Sequence, residues 1–444
     1  MLLEHLETFL DRARTETHGL PHYVVKELRG YLECGVLGHG FVRVKCADCQ
    51  TERIVAFSCK GRGMTDTAAR LVDDVFPQDV PVRQWVLSLP MEIRYRLAYD
   101  SKLLSDVLAV FLRVVRGWYQ RQAKVEGYRD TRFGSVTFAQ RFGSALNLNP
   151  HFHTLALDGV YEESDGEPKF HLAPILTDDD VCRIVETTAH RVIRLLERRG
   201  VLDGASLDRL ADEEPVLAGV TAASVNGMVA TGERAGMRVR RVLSDPWEGV
   251  RTGHLCYASR GFSLHAATDV EAGDKDGLER LCRYVARPPL AVGSLKQHSE
   301  DLLSFKLKTP WSDGTTHLIL SPLELIEKLS ALVPPPRKNI VRYHGVLGPA
   351  ARNRNKIVPG EETNSDDKVA SPKRYRLKWS ALLARVFRVD VEKCPRCAGK
   401  MKIVAALTDS ASIRQYLKGT GYDADIPKLA PARAPPQVEM NFDF

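Results

Sequence analysis

The 444-residue chain has no apolar stretch long enough to span a bilayer. Its start, Met1-Leu-Leu-Glu-His-Leu-Glu7, lacks the basic-then-apolar layout of a signal peptide, so the expectation is a soluble, cytoplasmic protein with no membrane partner. No internal repeat is present, and no Gly-x-x-x-x-Gly-Lys-[Ser/Thr] loop supports a nucleotide-driven helicase. Cysteine is sparse, and in a reducing compartment its nine residues read as metal ligands and buried thiols rather than disulfides. Six of them, Cys34, Cys46, Cys49, Cys59, Cys394 and Cys397, fall in two end regions, which points to metal sites there.

What is present is ordinary globular material, 44% hydrophobic and 27% charged, enough for two or three compact domains. Lys and Arg outnumber Asp and Glu by 63 to 56, a net +7 that favours a polyanionic partner without proving one. Residues 1–64 carry four cysteines among short β-rich segments and read as a small Cys-rich zinc module. From Thr65 the spacing of Ala68, Leu71, Val72 and Val75 predicts a helix and the start of a second domain, 65–345. Within it, Trp85–Leu89, Gly134–Gln140 and His151–Tyr161 read as strands, and Ser101–Gln120 and Thr177–Arg199 as amphipathic helices. Residues 201–260 are expected to be a β-containing insertion. Polar and Pro-rich composition predicts a linker at 346–378, then a segment at 379–422 holding Cys394-Pro-Arg-Cys397, and a flexible tail at 423–444. Strands mixed with helices give an α+β class.

On a strand, side chains two apart share a face, so His151 and His153 present two imidazoles together while Phe152 turns the other way. Such a pair is half of a metal site, and equally two ordinary histidines. Downstream, Leu278–Arg287 fits a helix with Leu278, Leu281, Cys282 and Val285 buried, which leaves Tyr284 on another face with Arg280 at i−4 and Arg287 at i+3. Arginine there can grip a phosphodiester bidentately and help a weak nucleophile reach phosphorus. A tyrosine resting its ring on the core is the plainer alternative.

His151-Phe-His153 followed by Tyr284-Val-Ala-Arg287-Pro-Pro resembles the HUH and tyrosine motifs of rolling-circle transposases of the insertion-sequence ninety-one family. So do Gln140-Arg-Phe-Gly-Ser-Ala-Leu-Asn-Leu-Asn149, Leu157-Asp-Gly-Val-Tyr161, Leu307-Lys-Thr-Pro-Trp311, Asp313-Gly-Thr-Thr-His317 and Arg342-Tyr-His-Gly-Val-Leu-Gly348. The resemblance covers roughly residues 1–410. It implies an HUH-nuclease-like antiparallel sheet with helices, Mg²⁺ or Mn²⁺ at His151 and His153, and Tyr284 as nucleophile with Arg287 as its catalytic partner. It also implies Arg280 and Arg283 on DNA, and single-stranded DNA at element ends and target as substrate, with a homodimer as a further partner state. The implied chemistry is nicking and rejoining through a 5′-phosphotyrosine. Because Arg280 stands four before Tyr284, the chain resembles the single-tyrosine branch. HUH sites commonly add a polar side chain, which makes Gln140 the first choice for third ligand, ahead of Asp158 and His265. An inactive DNA-binding relic, or a plasmid replication initiator or relaxase with the same chemistry, are the alternatives.

Cys46-Ala-Asp-Cys49 has knuckle spacing for tetrahedral Zn²⁺, and Cys34 and Cys59 are the expected completing thiolates. In the family the phrase Ser58-Cys-Lys-Gly-Arg-Gly63 is followed by a further Cys-Pro-x-Cys pair, whereas here the chain runs into Met64-Thr-Asp-Thr-Ala68. A short in-frame deletion accounts for the junction and leaves zinc occupancy open. Cys394-Pro-Arg-Cys397 with Gly399 resembles half a zinc ribbon without a local second half; zinc there needs distant ligands or another chain, and a redox pair or plain thiols are the alternatives.

Overall fold

In the computed structural model, the described residues are 2–16, 19–57, 59–164, 166–201, 209–243, 253–290, 293–308, 310–311, 313–359, 394, 396–423 and 425–433. The first third comprises α1 (Leu2–Glu16), α2 (His22–Glu33), β1 (Phe41–Cys46), β2 (Glu52–Ala56), α3 (Cys59–Asp74), β3 (Val82–Ser88), α4 (Met91–Tyr99), α5 (Ser101–Val125) and β4 (Gly134–Phe142). There follow β5 (Leu148–Leu157), β6 (Gly159–Ser164), β7 (Glu167–Leu172), α6 (Asp178–Arg198), α7 (Arg209–Glu213), α8 (Pro215–Asn226), β8 (Arg240–Leu243), β9 (Cys256–Ser259) and β10 (Phe262–Val270). The remainder is α9 (Lys275–Val285), β11 (Leu295–Ser299), β12 (Leu302–Lys306), β13 (Thr315–Leu320), α10 (Pro322–Leu332), β14 (Val341–Gly345), α11 (Arg354–Ile357), β15 (Met401–Leu407) and α12 (Ser410–Thr420).

The strands and helices expected around the two motifs form, with boundaries moved by a few residues, except that the strand expected at His151–Tyr161 divides at Asp158 into β5 and β6, which lie in different sheets. The α+β expectation holds, with every strand pair antiparallel. The central sheet has the order β14-β4-β5-β3-β10-β9. β5 lies in its interior and is buried along nearly its whole length, as a strand covered on both faces must be. Phe152 and Ala156 project into the core built by α5 and α6; Leu155 and Leu157 project to the other side, into the core that includes α3 and α9. By the two-residue period His151 and His153 share that second side. α6 starts where Thr177 and Asp180 form a reciprocal capping box.

A second sheet, β11-β12-β13-β8, packs through Leu303, Phe305, Leu318 and Leu320 against Ala145, Leu146 and Leu325. The expectation for 201–260 missed α8. Its Val216, Leu217, Ala218, Val220, Thr221, Ser224 and Val225 are all buried, so no polar stripe marks it as amphipathic.

The third sheet, β15-β1-β2, joins the two ends of the chain. β15 pairs along β1 from Phe41↔Leu407 to Cys46↔Met401. β15, from the segment expected at 379–422, therefore completes the N-terminal hairpin, because β1 has an edge to satisfy and β15 supplies the ladder. Residues 360–393 of the expected linker and C-terminal segment, and 434–444 of the expected tail, lie outside the described residues. Of the tail's described part, Ala430 N–H donates to Leu3 O at 2.8 Å and Arg433 N–H to Thr8 Oγ1 at 3.0 Å.

At the far end of β5 the guanidinium of Arg83 donates to both oxygens of Asp158 at 3.0–3.1 Å, and Tyr119 Oη donates to the same carboxylate at 2.9 Å. Trp85 Nε1 donates in turn to Tyr119 at 3.3 Å. Asp158, a runner-up metal ligand in the sequence, is thereby committed to a structural ion pair. Removing one partner of such a shielded pair strands the other's charge, at a cost of about 3 kcal/mol. Asp158→Ala is expected to lower the urea midpoint of unfolding accordingly, while Asp269→Ala, whose carboxylate is 3.6 Å from Arg83 and half exposed, changes it by much less.

Candidate active site and zinc module

The two histidines of β5 face each other, with His151 Nε2 and His153 Nε2 3.0 Å apart. Each ring is held from behind. His151 Nδ1–H donates to Asn149 O at 2.7 Å, and Gln84 Nε2 lies 2.8 Å from His153 Nδ1. Gln84 as placed donates to Nδ1; turned end over end it accepts from Nδ1–H instead and leaves both Nε2 lone pairs free. That is the usual way a ligating imidazole is oriented. Burial holds His151 down at about 4, despite the Asn149 carbonyl, with Arg287 and Arg94 adding to the effect. Burial, then His151, Arg287 and Lys308, bring His153 down to about 2. Both rings are therefore neutral at physiological pH, the form a metal requires.

Gln140 stands opposite His151 in the β4–β5 ladder. Its Nε2 donates to Val285 O at 2.6 Å, and its Oε1 is buried with no hydrogen-bond partner among the described residues. An orphaned buried carbonyl oxygen beside two converging imidazole nitrogens is an N₂O donor set, and it fits a divalent cation. His265, the other runner-up, lines the cleft that also contains His153, and burial lowers it.

α9 positions the tyrosine. Asp274 caps its start by accepting from Gly277 N–H at 2.8 Å, and Leu278, Leu281, Cys282 and Val285 form its buried stripe. Pro288 and Pro289 stop the helix, and because Pro289, four residues on, has no N–H, the Val285 carbonyl is left without a helical donor and takes Gln140 instead. Tyr284 lies one residue before that anchor. Its ring sits edge-on to His153, centroids 5.9 Å apart at 81°. The Arg287 guanidinium lies 4.4 Å from the Tyr284 ring centroid, and Lys308 Nζ 4.5 Å from it. Lys308 Nζ also donates to the Tyr284 hydroxyl at 3.3 Å.

Of the residues singled out in the sequence, the structure brings His151, His153, Gln140, Tyr284 and Arg287 together. Arg280 lines the same open cleft of about 660 Å³ but is largely exposed, 3.9 Å from Asp274. Arg283 is turned to Glu279, at 2.6 Å. Lys308 and Gln84 were not anticipated. Lys308 lies inside the quoted phrase 307–311 with no spacing to mark it; Gln84, a polar residue at an inward position of the apolar strand Val82–Ser88, did carry a signal.

The cysteines are arranged differently from the expected set. Cys46 and Cys49 meet Cys394 and Cys397, all four sulfurs within 4.8 Å of one another. Cys34, at the end of α2, is not in the cluster, and the Cys59 side chain lies outside the described residues. The reason is the β1–β15 pairing, extended by Ala47 N–H to Lys400 O at 3.0 Å, which sets the two Cys-x-x-Cys turns face to face. Cys394 N–H donates to Gly399 O at 2.8 Å, and a Cβ at Gly399 would lie 2.0 Å from the Asp48 carboxylate and 3.1 Å from Cys397 Sγ, so a side chain there would have to displace Asp48 and crowd the cysteine turn. Hydrogen bonds from Thr51 bring Cys49 down to about 6. Cys397, although the Gly399 backbone lowers it, is pushed up to about 12 by Cys49 and Cys46. Four crowded thiols that cannot all ionise alone are a donor set for tetrahedral Zn²⁺.

No described helix is long and apolar enough to cross a membrane. No curated protein and no solved structure matches the chain. Residues 134–356 match the family described as "Putative transposase" (Y2_Tnp), and residues 1–89 match the IS91 "Transposase zinc-binding domain". The first match spans the histidine strand, α9 and the Lys308 loop; the second spans the hairpin that carries Cys46 and Cys49. On these matches, the chain belongs to the IS91 family of transposases and carries an N-terminal transposase zinc-binding domain.

Proposed function

We propose that this transposase cuts and rejoins single-stranded DNA by a rolling-circle route, with Tyr284 as nucleophile. The observation that carries the reading is Tyr284 set edge-on to His153, whose Nε2 faces His151, and flanked by two cations. His151, His153 and Gln140 would hold Mg²⁺ or Mn²⁺, which supplies neutralisation and polarisation of the phosphodiester. Tyr284 Oη attacks phosphorus, the bond to the DNA 3′ oxygen breaks, and the proton leaving the tyrosine ends on that oxygen. The products are a 5′-phosphotyrosine and a free 3′-hydroxyl, with the bond energy retained so that a 3′-hydroxyl can reverse the step. Lys308 steadies charge on the tyrosine oxygen and Arg287 fixes the ring and meets the phosphate, so most of the protein's contribution is positioning and charge. Arg280 lies where it can contact the strand backbone, whereas Arg283 serves α9 through Glu279.

The zinc module supports the same reading. The knuckle missing after Cys59 has a counterpart in Cys394-Pro-Arg-Cys397, so Zn²⁺ is assigned to Cys46, Cys49, Cys394 and Cys397.

Incubation with single-stranded DNA bearing an element end and Mn²⁺ is expected to give a covalent adduct that is absent in Tyr284→Phe; an undiminished adduct in that variant would refute the nucleophile. Lys308→Met is expected to slow adduct formation about 100-fold with little change in strand affinity. Zinc content is expected to be about one equivalent, to survive Cys34→Ser and to be lost in the Cys394→Ser/Cys397→Ser double variant. Retention of zinc by the double variant would overturn the ligand set.

A further inference from the structure

A second cleft, of about 300 Å³, lies where the β4–β5 turn meets α4, the end of α8, the second sheet and α10. It is lined by Arg94, Asn147, Asn149, Trp311 and Lys328. Lys328 is 2% exposed, and among the described residues no carboxylate contacts it, although Glu327 and Glu324 act on it at longer range. Its two neighbours on α10 are engaged elsewhere: Glu327 accepts from Ala230 N–H, Thr231 N–H and Thr231 Oγ1, and Glu324 from Arg234 and Ser321 N–H. A buried ammonium with no counter-ion in contact is costly, and an anion in the cleft relieves it. Arg94 spends its Nε on Leu89 O, and the Asn149 amide oxygen is buried with no partner.

Two short stretches of chain join this cleft to the histidine–tyrosine site. Asn149 orients His151 with its backbone carbonyl while its amide faces the cleft side, and the loop after β12 carries Lys308 to the Tyr284 hydroxyl and Trp311, three residues on, to the cleft. An indole, an unsatisfied amide and two cations at one cleft are the kinds of group that hold a splayed-out base and its phosphate. The volume, at the small end of ligand sites, suits one nucleotide rather than a strand.

We propose that this cleft seats one unpaired base, with its phosphate, from the strand being cut, and so sets the sequence at which cleavage occurs. The proposal rests on the single-strand reading above, but its test needs no covalent step. Full-length protein carrying Tyr284→Phe is titrated into fluorescent oligonucleotides that vary one position at a time, with deoxynucleoside monophosphates as competitors. The expected result is one position with a marked base preference. Adding Trp311→Ala flattens that preference and weakens binding about tenfold, and Trp311→Phe keeps it. Lys328→Gln weakens binding to all sequences and reduces the salt slope by about one. Unchanged affinity and preference in Trp311→Ala and Lys328→Gln would overturn the proposal, as would monophosphates competing as well as the oligonucleotide. If Trp311→Ala does not fold, Trp311→Phe and Lys328→Gln decide. Absence of the Tyr284 adduct with this binding pattern intact would sink the nucleophile and leave the cleft standing.

Discussion

Two imidazoles forced to face each other inside a sheet set the terms for the rest of the molecule. His151 and His153 converge to 3.0 Å because both occupy one face of β5, and they are buried because strands flank β5 on both edges and helices cover both faces. Burial without a compensating interaction is unfavourable, so each ring is braced, one by the Asn149 carbonyl and one by Gln84. Gln140 extends the arrangement sideways, with one amide atom satisfying the open end of α9 and the other left bare beside His151. Through that one side chain the position of Tyr284 is tied to the histidine strand. The same helix end that Pro288 enforces thus places the phenol, and the loop from the second sheet brings Lys308 onto it.

The zinc module follows a different logic. A hairpin of two short strands has too little core to stand alone, and here its third strand and two of its four thiols come from far along the chain, 351 residues separating Cys46 from Cys397. Around it, Phe41 packs with Ile413 and Leu417 of α12, and Glu52 accepts from both Arg43 and Tyr416. The four-cysteine cluster and this small apolar contact therefore fasten the N-terminal hairpin to the segment at 394–420.

The parts of this arrangement that could be read in the sequence were those fixed by local period. Alternation put His151 and His153 on one face and Phe152 on the other, and the 3.6-residue stripe of α9 left Tyr284 off the core. The resemblance supplied Gln140, which periodicity alone would not have chosen. What escaped depends on contacts between distant segments. Lys308 reaches Tyr284 only because the second sheet packs beside the first, and Cys394 meets Cys49 only through the β1–β15 ladder, so spacing near Cys46 pointed instead to Cys34 and Cys59. α8 was missed for the opposite reason, since a helix buried on most sides shows no stripe. Asp158 and Arg283, plausible as a ligand and a DNA contact, are held in ion pairs by Arg83 and Glu279 that no linear pattern announces.

The central claim is that the buried imidazole pair is a metal centre. It is tested most directly by pulsed electron paramagnetic resonance of Mn²⁺ bound to protein labelled with ¹⁵N-histidine. The account predicts hyperfine coupling from two imidazole nitrogens, reduced to one in His151→Ala and in His153→Ala. Mn²⁺ bound with no histidine nitrogen coupling, or with coupling unchanged in both variants, would contradict it.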